Sequence, residues 1–217
     1  VFPSTPHFSE LEFMADLKQH MRVLELFPSA VQLSTHPEKE RINADLIDVI
    51  DQIQENVPNS RPEDWACTVY TTIENHNELH LHPAFQEISN FIVEELNHFS
   101  ETNGVFLPNS GVIIKNLWVN VYNKNDSMDV HNHPNSLFTG VYFVKSPSES
   151  ASVLIDSPSS DSMISIPVIK NNDYNIENAA FESIEGQLLI FNSTIKHRVL
   201  LHKLEQKRIT ISFSAVI

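Results

Sequence analysis

The chain has one cysteine among 217 residues. A lone thiol forms no internal disulfide, and such sparing use fits a reducing compartment. Cys67 stands inside the apolar run Trp65-Ala66-Cys67-Thr68-Val69-Tyr70, where a strand and a buried structural thiol are expected. Basic residues are scarce as well: 14 Lys and Arg stand against 28 Asp and Glu, a formal charge of −14. So acidic a surface repels phosphate backbones and anionic membranes, and no Lys/Arg cluster offers a local exception, which disfavours nucleic acid as a partner. No apolar run approaches the roughly 18–20 residues that a bilayer-crossing helix needs. The first residues lack a basic region followed by an apolar stretch, so no secretory leader is expected and the location expected is cytoplasmic. Repeats and low-complexity tracts are missing too, apart from a Ser-rich stretch at 146–162 that reads either as a mobile lid or as a solvated connection.

What is present is an ordinary apolar fraction, 41%, enough for one good core. The first half reads as helical. Ser9 to Glu12 form a capping box, and Leu11, Met14, Leu17, Met21 and Leu24 recur at helical spacing as far as Phe27, where Pro28 closes the pattern. A second helix is expected at 38–56, a break at 58–62 and a third helix at 83–100. Their apolar stripes are expected to cover one face of a sheet, although such a face could also bury a second copy of the chain. After Asn103-Gly104 the pattern turns strand-like, with runs at 112–114, 117–122, 137–144, 152–155, 162–169, 186–192, 197–202 and 208–217. Short strands so spaced imply a sandwich or barrel. The division expected is a helical region at 1–104 and a β region at 105–217, packed as one compact unit.

Chemistry concentrates at His131-Asn132-His133-Pro134, which precedes one of the strand-like runs. Imidazoles at i and i+2 leave an extended backbone on the same side and can share a metal ion. His197 follows after several strands, and Arg208 lies in the final strand with Thr210 and Ser212 on its face by alternation. Asp129, two residues before His131, and Asp156, at a strand end, are the carboxylates that could complete a metal site. Each of these residues also has a plainer reading: His133 as a turn residue before proline, Arg208 as a surface arginine, Tyr122 and Trp118 as core aromatics. A second His-x-His-Pro, at His80 and His82, precedes a helix rather than lying between strands, and reads as surface or capping histidines. His7, His20, His36, His76, His98 and His202 show no ligand spacing.

Taken in order, Trp118-Val119-Asn120-Val121-Tyr122, His131-x-His133-Pro134, Gly140-Val141-Tyr142-Phe143-Val144, Gly186 to Phe191, His197 and Arg208 to Phe213 resemble the 2-oxoglutarate- and Fe(II)-dependent oxygenases, in particular small phage and bacterial members. The resemblance covers roughly residues 112–217. It implies a double-stranded β-helix, a jelly roll of two facing sheets, with the helices outside one sheet. It further implies Fe(II) on His131, His133 and His197, and 2-oxoglutarate as a small-molecule cosubstrate whose far carboxylate pairs with Arg208. Tyr122, Asn120, Thr210 and Ser212 would assist at the cosubstrate. The reaction implied is hydroxylation of a substrate, with release of succinate and CO2. The family pattern carries Asp or Glu where this chain has His133. That departure leaves open a carboxylate ligand from Asp129 or Asp156, a three-histidine dioxygenase that uses no 2-oxoglutarate, and a non-catalytic jelly-roll binding module with structural Zn(II). The prime substrate is not identified by these residues.

Overall fold

The computed structural model describes residues 28–158 and 167–217. The expected first helix and residues 162–166 of the expected strand at 162–169 lie outside the described residues; residues 167–169 of that strand are irregular. The strands are β1 (Val31–Thr35), β2 (Tyr70–Thr71), β3 (Ile113–Tyr122), β4 (Met128–His131), β5 (Phe138–Lys145), β6 (Val153–Asp156), β7 (Asn178–Phe181), β8 (Gln187–Asn192), β9 (His197–Val199) and β10 (Arg208–Val216). The α-helices are α1 (Lys39–Asn56) and α2 (Gln86–Thr102), the latter entered through a 3₁₀ turn at Pro83–Phe85.

The strands form two antiparallel sheets. The larger runs β1-β8-β5-β10-β3-β2 and the smaller β4-β9-β6-β7. This is the double-stranded β-helix expected from the sequence. The larger sheet is covered on both faces, so each central strand must satisfy two layers. On β10, Ile209, Ile211, Phe213 and Ala215 join the core shared with the helices. Alternation then turns Arg208, Thr210 and Ser212 toward the smaller sheet. β3 divides the same way: Leu117, Val119 and Val121 pack outward, while Trp118, Asn120 and Tyr122 face inward.

Both helices present the spacing that their sequences predict. Ile42, Leu46, Ile50 and Ile53 of α1, and Ile88, Ile92, Leu96 and Phe99 of α2, are buried against the larger sheet. Burying each such side chain contributes about 1.5–3 kcal/mol, far more than helix propensity supplies. The Tyr142 hydroxyl donates to Asn43 Oδ1 at 2.8 Å and pins α1 to β5.

Several expectations need correction. The runs at 112–114 and 117–122 are one strand, and the run at 197–202 is a strand only as far as Val199. The run Trp65 to Tyr70 is strand only at its end. There the Asn59 side chain takes the place of a neighbouring strand, its amide donating to Val69 O and its carbonyl accepting from Thr71 N, both at 3.0 Å. Cys67 is half-buried rather than buried, and burial pushes its thiol up. His82 does cap: its Nδ1 accepts from Ala84 N at 3.2 Å. β1, β4 and β7 are additions to the expected strands.

Gly140, on β5, packs too closely for any side chain. A Cβ there would lie 2.2 Å from Leu189 O and 2.5 Å from the Phe213 ring. Gly140→Ala is expected to destabilise the fold by about 2–3 kcal/mol through overpacking. Gly104→Ala, at φ +66° with nothing within 4 Å of the new Cβ, is expected to cost only about 1–2 kcal/mol of backbone strain. Urea denaturation of the two variants checks the order.

Candidate metal centre

β4 and β9 pair so that His131 faces His197 and Met128 faces Val199. Three steps on β4 therefore match two on β9, a β-bulge. Without it, alternation would put Asp129 on the face of His131. With it, Met128 and His131 turn inward while Asp129 and Val130 are both exposed. The bulge re-aims a side chain, as bulges beside sites do. Beyond the strand, His133 is held by its backbone N–H, which donates to Ser193 O at 3.0 Å. Its ring packs 5.6 Å from the Trp118 ring, centroid to centroid.

The three imidazoles converge. Ring centroids of His131 and His197 lie 4.3 Å apart, and His133 is 5.2 Å from each. One ring nitrogen from each falls within 4.8 Å of the other two, and among the described residues this is the group of His, Cys, Asp and Glu side chains that could hold an ion. Asp129 and Asp156 stand apart from it. Asp156 turns to the outside of the smaller sheet and pairs with Arg198 at 3.6 Å. His131 Nδ1 lies 2.7 Å from Asp129 O, and His197 Nδ1 lies 3.1 Å from Ile195 O. A carbonyl only accepts, so each Nδ1 carries the proton and each Nε2 keeps a free lone pair. His197 is buried and His131 and His133 are half-buried, which favours the neutral rings. His131 sits below its ordinary value, and His133 is pushed down to about 4 and His197 to about 3, with burial the main cause and nearby His131 the next.

Across the cavity Arg208 is fully buried. Its guanidinium lies 4.7 Å from the Tyr122 ring centroid and 5.4 Å from that of Phe143. Nε donates to Ser183 Oγ at 3.0 Å; the Tyr122 hydroxyl is close enough to interact with the guanidinium, but neither Nη1 nor Nη2 makes a hydrogen bond of proper length and angle. Tyr122 lies near enough to favour the positive charge, yet burial wins and pulls the guanidinium below its usual value. Burial likewise pushes the Tyr122 hydroxyl up to about 12. Asn120 Nδ2 donates to Ser212 Oγ at 3.0 Å while its Oδ1 is buried and unpartnered. Tyr122, Asn120, Thr210 and Ser212 all line the same cavity as the three histidines and Arg208. So do Trp65, Ile73 and Met128, which the sequence reading left out as site residues, and Trp118, which it assigned to the core. Nothing in the local pattern around Trp65 marks it, because a loop rather than a strand carries it to the cavity.

Residues 116–214 match the family described as "Putative 2OG-Fe(II) oxygenase". No curated protein matches the sequence. Among solved structures, a Pseudomonas putida prolyl-4-hydroxylase superposes with a TM-score of 0.57 at 10% identity, over 86% of this chain and 92% of that one. The non-heme alpha ketoglutarate dependent epimerase SnoN from nogalamycin biosynthesis gives 0.65 at 8% identity, over 87% and 78%. HygX from Streptomyces hygroscopicus, solved with nickel, 2-oxoglutarate and hygromycin B, gives 0.57 at 8%, over 86% and 82%. At these identities the likeness is one of fold.

Two outcomes are expected of the metal-free protein. The three histidines bind protons less readily folded than unfolded, so their contribution to stability is complete above about pH 6.5 and drains away as pH falls toward their depressed values. Urea midpoints measured from pH 7.5 to 5 should fall, and fall less in a variant with all three changed to Gln. Arg208→Met removes a buried cation that lacks an anionic partner, and should leave the metal-free fold unchanged or stabilise it by up to about 3 kcal/mol.

Proposed function

We propose a function on the premise that the chain belongs, through residues 116–214, to the 2OG-Fe(II) oxygenase family: it is an Fe(II)- and 2-oxoglutarate-dependent oxygenase that hydroxylates a substrate and releases succinate and CO2. His131, His133 and His197 would hold the iron. Arg208 would receive the far carboxylate of 2-oxoglutarate. The observation that carries this reading is the pairing, in one cavity, of three neutral imidazoles with a buried guanidinium whose Nη1 and Nη2 lack partners. Three nitrogen donors are fewer than an octahedral ion accepts, which suits a centre that must also admit cosubstrate and oxygen. A planar guanidinium with two free nitrogens fits a carboxylate through two parallel hydrogen bonds.

When bound, iron and 2-oxoglutarate would activate dioxygen, the oxidant, with one oxygen atom going to the substrate and the other to succinate, and this chain supplies the setting. The backbone carbonyls of Asp129 and Ile195 fix the His131 and His197 tautomers, so both Nε2 atoms stay available. The Tyr122 and Phe143 rings hold the Arg208 guanidinium in place before any anion arrives. Val141, Val153, Phe191 and Val199 wall the histidines with apolar surface and limit water. Thr210 and Ser212 continue the face of Arg208 on β10 and offer hydroxyls to a bound carboxylate.

The missing carboxylate ligand favours one competing reading, a three-histidine dioxygenase whose substrate itself chelates iron. Anaerobic addition of 2-oxoglutarate to Fe(II)-loaded protein separates the two. The proposal expects a weak visible charge-transfer band that is lost in both His131→Ala and Arg208→Ala. Iron binding with no band, and activity indifferent to Arg208→Ala, would favour the competing reading.

A further inference from the structure

The cavity that holds the three histidines has an unusual charge balance. Its described lining includes no aspartate and no glutamate. The one formal charge there is Arg208, which is fully buried and makes no ion pair among the described residues. The three imidazoles are neutral donors. The nearest acid to His131 by sequence, Asp129, is turned out into solvent by the β4 bulge, where water weakens its field; its charge remains the smallest of the influences on the His131 ring. Glu182 and Glu185 line a different groove, which Ser183, the partner of Arg208 Nε, also borders. A divalent ion on His131, His133 and His197 would therefore keep its full charge of two at its ligands and face a buried guanidinium, with no carboxylate in the described lining to offset either.

We infer that the all-imidazole set, with His133 as its third donor and no carboxylate in the lining, makes metal binding and dianion binding strongly interdependent in this protein. The inference rests on the function proposed above. A carboxylate at position 133 would neutralise half of the ion's charge before any ligand arrived. With His133 the ion and the buried Arg208 repel across a cavity that water only partly screens, so each is disfavoured until a dianion enters and touches both. The dianion is in turn held by more net positive charge than a carboxylate-containing site would offer. Linkage requires the effect to be reciprocal: the factor by which 2-oxoglutarate tightens the metal equals the factor by which the metal tightens 2-oxoglutarate.

The test uses Ni(II), which cannot turn over, and the intact chain. Calorimetry measures Ni(II) affinity with and without 2-oxoglutarate, and 2-oxoglutarate affinity with and without Ni(II), each corrected for their complex in solution. The wild-type protein is expected to show reciprocal coupling of about a hundredfold or more. His133→Asp is expected to bind Ni(II) more tightly in the absence of 2-oxoglutarate and to lose at least tenfold of the coupling; His133→Glu serves if the Asp variant does not fold. Quenching of Trp65 and Trp118, which both line the cavity, reports the same equilibria independently. Wild-type coupling below fivefold overturns the inference, and so does coupling that is unchanged or larger in the carboxylate variants. Either result leaves the oxygenase reading standing. Failure of the wild-type protein to bind Ni(II) at all overturns both.

Discussion

The two-faced burial of the six-stranded sheet is the constraint on which the rest depends. A strand covered on both sides must alternate two kinds of surface at a period of two. On β10 that produces an apolar face for the helices and, one residue out of phase, the polar series Arg208, Thr210 and Ser212 for the cavity. A slip of one residue would drive Arg208 into the helix-facing core and turn Ile209 and Ile211 into the site. The pairing of β10 with β3 on one side and β5 on the other fixes the register, and Gly140 permits the close approach of β5. The position of the guanidinium is thus a consequence of packing on the opposite face of its own strand.

The smaller sheet contributes the other half of the centre, with less regularity. His197 and His131 are cross-strand partners, which sets their separation through backbone hydrogen bonds rather than through loop conformation. The bulge in β4 then decides which side chains reach the cavity. It admits His131 and excludes Asp129, so the described side chains gathered there that could hold an ion offer nitrogen only. That single irregularity links local backbone geometry to the charge of the whole cavity. Arg208 meanwhile is a buried cation retained at a cost, one that a carboxylate-bearing ligand would offset.

Much of this was legible in the sequence, for identifiable reasons. The helices at 39–56 and 86–102 followed from apolar residues at intervals of three and four. The inward set Arg208, Thr210 and Ser212 followed from alternation, and the convergence of His131, His133 and His197 on one cavity agrees with their order between strands. Alternation misled at Asp129, because a bulge inserts a residue without a turn signal. The apolar run Trp65 to Tyr70 misled too, because there Asn59 stands in for a strand neighbour. β1 and β7 are short edge strands whose pairing is decided by distant partners. Trp65 reached the cavity through tertiary packing of a loop, which no local pattern records.

The central claim is that three imidazoles of this chain, and no carboxylate, bind one metal ion in the cavity that Arg208 faces. X-ray absorption of the anaerobic Fe(II)-loaded protein reports it directly through the multiple scattering that imidazole rings give. Three imidazoles per iron are expected, falling to two in His133→Ala. Two imidazoles with a protein carboxylate in the wild type, or no loss on changing His133, would contradict it.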